Sequence, residues 1–460
     1  MNAGRWRLAF VGVCAVASVP ATLQAQTPLG GEFQVNTYTT GNQNSSRSAV
    51  AVAPNGSFVV VWNGPGDGSG SGIFGQRYSS KGTPIGGEFQ VNTYTTKSQR
   101  GASIAMAPNG GFVVAWTGYG DGGTGSYYTY GGYTYAVGGY GIFARRFAAN
   151  GKPLGSDFQV NTYTTYYQAG PTVAVDSSGD FVVAWTSGYY GPYGQDPNSQ
   201  DGSAQGVFGR RFAADGTPLG SDFQVNTFTL DPQLAHSVAS AANGDFVVVW
   251  TSNGYGIAGQ DGSYGGVFGQ RFDKAGTPVD GEFQINTYTS GNQTQARVAS
   301  RPNGDFVVVW WGGYFQDGNY RGIFGQQFDA QGAPKGGEFQ ANVYTTGQQQ
   351  SPAVALDRNG DFVVTWTSAP APASATSQDG NFAGVFGRRF KASGKAAGGE
   401  FQVNTYTTEN QQNSSVAARP NGDFVVVWQS RQRGGVQPPV PPSQAQDGDN
   451  GGIFARRYRR

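Results

Sequence analysis

The sequence predicts an all-β fold, a seven-bladed β-propeller in which each blade is a four-stranded sheet. The first observation is internal repetition, because three short blocks of sequence each occur seven times and always in the same order. The second is the chemistry of these blocks, which are rich in β-branched and aromatic residues and are separated by turn residues. Repeated four-stranded units that are arranged radially are typical of propellers.

Each block has one place in the repeat. The block Glu/Asp-Phe-Gln, expected in the outer strand, begins at Glu32, Glu88, Asp157, Asp222, Glu282, Glu338 and Glu400. The block Phe-Val-Val-x-Trp, expected in the second strand, begins at Phe58, Phe112, Phe181, Phe246, Phe306, Phe362 and Phe424. The block Ile/Val-Phe-Gly/Ala, expected in the third strand, begins at Ile73, Ile142, Val207, Val267, Ile323, Val385 and Ile453. The innermost strand precedes the second block and carries a small alanine at one aligned position.

Local chemistry predicts the strands and turns within a repeat. The three valines between Phe58 and Trp62 favour a strand, since β-branched residues pack well on a pleated surface. Asn55-Gly56 comes directly before them and suits a tight hairpin, because both positions accept a positive φ. Gly82-Thr83-Pro84 predicts a second hairpin between the third and outer strands. The tryptophan that ends the second strand is expected to fill the space between neighbouring sheets.

The first and last copies are incomplete in complementary ways. An outer-strand copy, Glu32–Asn36, comes first, without the three strands that should precede it. The sequence ends with a third-strand copy, Ile453–Tyr458, that lacks its outer strand. We therefore predict that these two strands pair and close the ring, with residues 26–460 forming one domain. Closure leaves no sheet edge exposed, and the ring is expected to be a monomer.

Residues 1–25 have the pattern of a secretory signal peptide. Arg5 and Arg7 precede an apolar run, Leu8–Val19, that is too short to span a bilayer comfortably, and Ala25 offers a small residue for cleavage. The prediction is a secreted or periplasmic protein with no transmembrane segment, and lipid attachment at Cys14 is the alternative. Cys14 is the one cysteine, so its removal excludes disulfides and thiol chemistry.

Charge patterns exclude one class of partner and predict two sets of ion pairs. Charged residues make up 13% of the chain and balance to +1, which argues against a nucleic-acid partner. The third strand carries an arginine in six copies, at Arg77, Arg146, Arg211, Arg271, Arg389 and Arg457. These arginines are expected to form cross-strand pairs with the acids that begin the outer-strand block. Arg301, Asp357 and Arg419, aligned in consecutive blades, predict an ion-paired cluster at the hairpin-side mouth of the channel, where an anion site is an alternative.

Tyrosines crowd two of the variable loops between the second and third strands. We expect these loops to lie on one face of the ring, where variable loops on a rigid scaffold usually carry binding sites. The predicted ligand-binding residues are Tyr127, Tyr128, Tyr130, Tyr133, Tyr135, Tyr189, Tyr190 and Tyr193. Tyrosine provides rigid amphipathic contact area for sugars or proteins. The alternative is that these side chains cover one another.

The same loops share an Asp-Gly pair, often preceded by glutamine. Two interpretations compete: the carboxylate holds the turn by accepting backbone N–H bonds, or it contributes oxygens to a Ca²⁺ site. The candidate calcium ligands are Asp261, Asp317, Asp379, Asp447 and Asp449. No other metal or cofactor is predicted.

The chain has a single histidine, His236, near the start of the fourth inner strand. The other copies carry serine, alanine or proline at this position, so the departure makes His236 a candidate catalytic base. The alternative is an incidental polar residue at a strand end, since no nucleophile or orienting acid is evident in the sequence beside it. A metal site built from paired histidines is excluded.

The repeat itself resembles a known group. The run Gly-Asp-Phe-Val-Val-Val-Trp, then Gln-Asp-Gly, then Val-Phe-Gly-Gln-Arg-Phe and Gly-Glu-Phe-Gln-Val-Asn-Thr is similar to repeats of bacterial secreted and surface proteins, many of them described as calcium-binding. The resemblance covers residues 32–460 and implies export. The predicted function is an exported, non-catalytic module that binds a glycan or a cell-surface protein on the face of the tyrosine-rich loops. Alternatives are a secreted polysaccharide lyase or hydrolase and a structural surface-assembly protein.

Overall fold

The computed structural model describes residues 26–44, 49–120, 127–130, 133–136, 139–188, 199–254, 259–313, 315–371, 377–431, 446–448 and 451–460. These residues form seven four-stranded antiparallel sheets and one two-stranded hairpin, which confirms the predicted propeller. In every sheet the strands follow one another in the order A, B, C and D. Strands A of neighbouring sheets contact each other around a closed circle, so strand A is innermost. No helix in this described part of the chain is long and apolar enough to cross a bilayer.

Strand bounds are given from blade 1 to blade 7. Strands A are β2 (Val50–Val52), β6 (Arg100–Met106), β12 (Tyr167–Val175), β16 (Gln233–Ser240), β20 (Thr294–Ser300), β24 (Gln348–Leu356) and β28 (Asn410–Ala418). Strands B are β3 (Phe58–Gly64), β7 (Phe112–Tyr119), β13 (Phe181–Gly188), β17 (Phe246–Asn253), β21 (Phe306–Gly312), β25 (Phe362–Ala369) and β29 (Phe424–Arg431). Strands C are β4 (Gly72–Tyr78), β10 (Tyr140–Phe147), β14 (Gln205–Phe212), β18 (Gly265–Phe272), β22 (Gly322–Phe328), β26 (Gly384–Phe390) and β30 (Gly451–Tyr458). Strands D are β5 (Pro84–Gln90), β11 (Phe158–Gln159), β15 (Phe223–Gln224), β19 (Pro278–Gln284), β23 (Phe339–Gln340), β27 (Phe401–Gln402) and β1 (Phe33–Gln34). The extra hairpin is β8 (Tyr127–Tyr130) with β9 (Tyr133–Ala136).

The ring closes as predicted, because β1 supplies the outer strand of blade 7. It pairs antiparallel with β30, and Phe33 lies opposite Ala455 while Gln34 lies opposite Phe454. The segment that leads into β1 follows the same edge, since Leu29 N donates to the carbonyl of Arg457 at 2.7 Å. Blade 7 is therefore built from both ends of the described chain.

The hydrophobic core lies between blades. Each core cluster joins the apolar face of one sheet to that of the next, and a tryptophan at the end of strand B fills the gap, as predicted. The seven tryptophans, all at most 1% exposed, are Trp62, Trp116, Trp185, Trp250, Trp310, Trp366 and Trp428. The strand-A alanines belong to the same interfaces; Ala239, for example, packs towards blade 5.

The two faces of the ring differ in their connections. The hairpin face carries the tight turns between strands A and B and between strands C and D. The loop face carries the variable B–C loops and the corners that lead from strand D to strand A of the next blade. The described polar and aromatic side chains on the loop face are the candidates for function.

Candidate functional site

A repeated asparagine builds each corner of the loop face. In the corner after blade 1, Asn92 Oδ1 accepts a hydrogen bond from Ile73 N at 2.7 Å, and Asn92 Nδ2 donates to the carbonyl of Tyr94 at 2.9 Å. The same two bonds recur at Asn36, Asn92, Asn161, Asn226, Asn286, Asn342 and Asn404. The residue two positions after each asparagine is thereby held at the loop face.

The acids of strand D link blades and do not form the predicted cross-strand pairs. Glu88 Oε2 accepts hydrogen bonds from both N and Oγ1 of Thr37, each at 2.9 Å, in the corner that leaves the preceding blade. The other six acids bind the equivalent residue, Thr93, Thr162, Thr227, Thr287, Val343 or Thr405. In blades 2 and 3 the acid also lies near an arginine, Asp157 near Arg145 and Asp222 near Arg210. Each of these arginines directly precedes the predicted one in the sequence. The prediction was wrong because neighbouring residues of a strand point to opposite faces of the sheet, and the predicted arginines lie on the face opposite to the acids.

The predicted arginines of strand C point instead to the hairpin face and reach the next blade. Arg146 Nη1 donates to the carbonyl of Ala214 at 2.7 Å, and Arg457 Nη1 donates to that of Ser80 at 2.8 Å. Five of the six side chains, all but Arg389, lie over a glycine of the neighbouring C–D hairpin; a Cβ on Gly216 would lie 2.7 Å from Arg146 Nε. Glycine is required at this place because the guanidinium occupies the space of a side chain.

The prediction that Arg301, Asp357 and Arg419 form ion pairs with one another was also wrong. Arg301 pairs with Asp305 at 3.0 Å and Arg419 pairs with Asp423 at 3.3 Å, each within its own hairpin. Asp357 Oδ1 accepts bonds from the backbone N of residues 359 and 361, which caps its hairpin. Arg301 and Asp357 border a cavity of about 330 Å³ at the hairpin-side mouth of the channel, which is lined by residues from all seven blades. An anion site there remains a prediction.

The Asp-Gly pairs of the B–C loops hold turns. Asp261 Oδ1 accepts a bond from Ser263 N at 2.9 Å, and Asp317 Oδ1 accepts one from Asn319 N at 3.0 Å. Asp379 makes the same bond, and burial raises the pKa of Asp261 and Asp317. The preceding glutamine donates to the strand-D acid of the same blade, as Gln378 does to Glu400 at 2.7 Å. This geometry supports the turn interpretation for these three aspartates; calcium binding by them stays a prediction. Asp449 lies outside the described residues.

His236 is buried between blades 3 and 4. Its ring Nε2 lies 3.0 Å from the carbonyl of Ala184, and its Nδ1 lies 3.2 Å from Thr186 Oγ1. Since a carbonyl only accepts, Nε2 carries the proton and Nδ1 accepts from the hydroxyl. Burial lowers the pKa of His236 to about 4, so the ring is neutral at pH 7. The ring is 4% exposed and both nitrogens are engaged, which supports a structural role.

An aromatic and cationic group covers the loop face of blades 2 and 3. We call it the Arg100 cluster; its members are Tyr94, Lys97, Arg100, Tyr119, Tyr140 and Tyr167. The Arg100 guanidinium lies 4.8 Å from the ring centre of Tyr140 and 5.6 Å from that of Tyr167, and Nη2 donates to Tyr167 Oη at 2.6 Å. Lys97 Nζ lies 3.5 Å from the ring centre of Tyr119, which meets Tyr140 edge to face at 5.4 Å. Lys97 and Arg100 are exposed.

The predicted tyrosines of the blade 2 loop are continuous with this cluster along the chain. The hairpin β8–β9 pairs Tyr128 with Tyr135 and Tyr130 with Tyr133, and Tyr127 lies opposite Ala136. It lies between the end of β7 at Tyr119 and the start of β10 at Tyr140, two residues of the Arg100 cluster. The predicted Tyr189, Tyr190 and Tyr193 lie outside the described residues. Neither cation of the cluster, Lys97 or Arg100, was identified from the sequence, because the sequence does not show which aromatic rings lie beside a charged residue in the fold.

A second set of aromatic residues was also missed. The corner asparagines place an aromatic side chain on the loop face after every blade, at Tyr38, Tyr94, Tyr163, Phe228, Tyr288, Tyr344 and Tyr406. Tyr38, Tyr94 and Tyr288 are 37–48% exposed. The recurring motif Asn-Thr-Tyr could have indicated these residues in the sequence. Recognising them as surface residues, however, required knowing that the corner lies on the loop face.

Two carboxyl groups at the loop face of blade 7, those of Glu409 and Asp447, influence each other electrostatically. Glu409 is 1% exposed, and its Oε1 has no hydrogen-bond partner. Burial, and secondarily the carboxylate of Asp447, raise the pKa of Glu409. Burial, Glu409 and Asp447 also raise the pKa of Tyr406. No described part of the chain brings together three or more histidine, cysteine, aspartate or glutamate side chains in an arrangement that could hold a metal ion.

Comparison with family models finds no match, and comparison with curated proteins finds none either. Solved structures that are similar include a protein of unknown function from Dyadobacter fermentans, with 11% identity over 93% of this chain and 98% of that chain and a TM-score of 0.49. A second is the α-L-arabinanase of Penicillium chrysogenum complexed with arabinobiose, with 15% identity over 76% of this chain and 91% of that chain and a TM-score of 0.44. A third is the Hadza microbial sialidase Hz136, with 10% identity over 84% of this chain and 73% of that chain and a TM-score of 0.45. No function of this chain follows from likeness at this level.

Proposed function

We propose that the protein is an exported module that binds a glycan on the loop face, at the Arg100 cluster. The observation that carries the proposal is the placement of Arg100 against the rings of Tyr140 and Tyr167, with a 2.6 Å hydrogen bond to the Tyr167 hydroxyl. A cation so placed orients two tyrosines before any ligand arrives. Binding to a preorganised surface has a smaller entropic cost than binding to a mobile one.

The chemistry of the cluster suits sugars. Tyrosine rings offer apolar faces for the C–H side of a pyranose and hydroxyls for its oxygens. Glycines beside the rings leave room for them, since a Cβ on Gly120 or Gly139 would lie about 3.0 Å from the rings of Tyr94 or Tyr119. The exposed Lys97 and Arg100 add two positive charges. A glycan that carries carboxylates is therefore the favoured ligand.

Binding to an array of neutral and acidic polysaccharides, followed by titration of any hit, tests the proposal with the purified full chain. We expect Tyr140→Ala and Arg100→Ala to weaken binding by about tenfold, the loss of roughly one cation–π or stacking contact. Arg321→Ala is the matched control, because Arg321 lies 4.3 Å over Trp311 on blade 5, outside the cluster. Equal loss in the control, or no polysaccharide bound at all, contradicts the proposal. The second result favours a protein ligand or a scaffold.

The polysaccharide-active enzyme is the second candidate, and the pair Glu409 and Asp447 is the observation that favours it. Glycoside hydrolysis uses two carboxyl groups of different pKa, and the raised pKa of Glu409 suits a general acid. At 1% exposure, however, Glu409 has no surface for a sugar to reach. Release of reducing or unsaturated ends from a bound polysaccharide, lost in Glu409→Gln, would support the enzyme over the binding module.

A further inference from the structure

The cavity at the hairpin-side mouth of the channel has a largely apolar wall. Its volume is about 330 Å³, and it is lined by the last residues of the seven strands A and by the turns that follow them. In four blades strand A ends in a large apolar side chain that is partly exposed, at Val52, Met106, Val175 and Leu356. Ser240 and Ser300 end strand A in blades 4 and 5. A cavity of this size, mostly apolar with a few polar groups, is typical of small-molecule sites.

One residue of this wall departs from the repeat. The position two residues after the end of strand A holds proline in four blades and serine or alanine in two, namely Pro54, Pro108, Pro302, Pro420, Ser177 and Ala242. In blade 6 the residue is Arg358, which is exposed and lines the cavity. Its guanidinium forms no hydrogen bond or ion pair with the described part of the chain. A cation without a protein partner therefore lies at the rim of an apolar cavity.

The other charged groups of the cavity wall have partners within the protein. Arg301 is ion-paired within its own hairpin, and its Nη2 also donates to the backbone carbonyl of Arg358 at 3.4 Å. Asp357 is 4% exposed, and its Oδ2 lies 3.8 Å from Arg460 Nε. Asp176 Oδ1 accepts hydrogen bonds from two backbone N atoms of its own turn, at 2.8 and 3.0 Å. Among the described residues of this wall, Arg358 is thus the one charged side chain that is available to a ligand.

The apolar and the positive parts of the wall lie across the channel from each other. Val52, Met106 and Val175 belong to the consecutive blades 1, 2 and 3, whereas Arg358 belongs to blade 6. In a ring of seven blades, blade 6 is three places away from both blade 2 and blade 3, which is the greatest possible separation. A ligand that spans the mouth therefore meets apolar side chains at one end and a guanidinium at the other.

We propose that this cavity binds a small organic carboxylate, with its apolar body against the strand ends of blades 1 to 3 and its carboxylate on Arg358. Contact with the apolar wall removes the body of the ligand from water, and a guanidinium binds a carboxylate through two parallel N–H···O bonds. An inorganic anion gains nothing from the apolar wall, and Arg301 and Arg419, on which the anion site predicted from the sequence depended, are ion-paired already. The site lies on the face opposite to the Arg100 cluster and does not depend on glycan binding there.

Titration of the purified full chain with three probes, followed by ligand-observed NMR, tests both parts of this proposal. Phenylacetate has the apolar body and the charge, phenylacetamide has the same body without the charge, and acetate has the charge alone. We expect phenylacetate to bind at millimolar concentration, and phenylacetamide to bind about tenfold more weakly because it lacks the charged hydrogen bonds. Acetate should not bind in the same range. The proposal is overturned if phenylacetate does not bind at millimolar concentration or if the amide binds equally well.

Two variants that copy other blades assign the site. Arg358→Pro gives blade 6 the residue that four blades carry, and it should weaken binding of phenylacetate about tenfold while that of phenylacetamide is unchanged. Met106→Ser copies the strand ends of blades 4 and 5 and should weaken binding of both probes, because it removes part of the apolar wall. Lys395→Ala is the matched control, since Lys395 is an exposed cation in the C–D hairpin of blade 6 that does not line the cavity.

Two results with these variants would overturn the proposal. One is unchanged affinity of Arg358→Pro for phenylacetate, and the other is an equal loss of affinity in Lys395→Ala. Arg358→Ala replaces the proline variant if that variant does not fold. The comparison of phenylacetate with phenylacetamide on the original chain requires no substitution.

Discussion

The two faces of the ring come from the same seven repeats but use their polar side chains differently. On the hairpin face, the described strand-C side chains reach across to the next blade, as Arg146 does to Ala214 and Arg457 does to Ser80. On the loop face the repeated acids make the equivalent links between blades, whereas the repeated asparagines hold each corner to strand C of its own blade. Residues specific to one blade lie above them. Arg100, Tyr140 and Glu409 are of this second kind. Functional residues of a repeat protein are therefore sought at positions where one blade differs from the repeat. The side chain at such a position should be accessible to solvent or should lack a hydrogen-bond partner.

His236 shows that departure alone is not enough. It is as exceptional among the repeats as Arg100, yet its two ring nitrogens bond to Thr186 and Ala184 within the interface of blades 3 and 4. The predictions below test this difference between the faces and are ordered from the largest expected effect to the smallest.

Opening the ring should have the largest effect and should damage both faces together. Deletion of residues 26–34 removes β1, its ladder with β30 and the ring of Phe33 that packs at 5.3 Å from Tyr78. The exposed edge of β30 would favour aggregation. We expect lower soluble yield and a lower unfolding temperature than in any variant below. An unchanged unfolding temperature would show that closure contributes little.

The neutral His236 should make stability depend on pH. Its pKa is about 4 in the folded protein and near 6.5 in the unfolded chain, so between these values the unfolded state binds more protons. Stability should therefore be full above about pH 6.5 and fall as the pH drops towards 4, by roughly 3 kcal/mol for a shift of this size. Denaturant unfolding from pH 7.5 to 4 measures it. His236→Ala, matching Ala102 and Ala296, should remove this part of the pH dependence; an identical slope in the variant contradicts the assignment.

Removing one inter-blade link on the hairpin face should lower stability without changing binding. Arg457 donates to the carbonyls of Ser80 and Leu29, both at 2.8 Å, and so joins blade 7 to blade 1 and to the segment before β1. Arg457→Ala should cost about 1–3 kcal/mol in the free energy of unfolding, the usual contribution of charged hydrogen bonds. Affinity for a polysaccharide should be unchanged. A loss of affinity of the folded variant would mean that the two faces are coupled.

The smallest expected effect concerns charge on the loop face. Lys97→Met should leave the unfolding temperature unchanged, since Lys97 is exposed and contacts the ring of Tyr119 alone among the aromatic rings described. It should weaken binding of a carboxylated glycan by about two- to fivefold, the equivalent of roughly 0.5–1 kcal/mol, and flatten its dependence on salt. Binding of a neutral glycan should change less. Equal losses for neutral and acidic glycans would exclude a role for the charge.

Much of this architecture could be read from residue order. The strands were predicted from Phe-Val-Val-x-Trp, the hairpins from Asn-Gly, and the closing pair from the complementary ends Glu32–Asn36 and Ile453–Tyr458. This was possible because strand and turn preferences act over a few residues and the same pattern occurs in all seven repeats. The partners of charged side chains could not be read in this way. Arg146 and Asp222 belong to contacts that cross from one blade to the next, and which face a residue occupies reverses with a shift of one position along a strand. The Arg100 cluster and the electrostatic influence of Asp447 on Glu409 exist because the ring brings separate blades and loops side by side, and that proximity is a property of the folded chain.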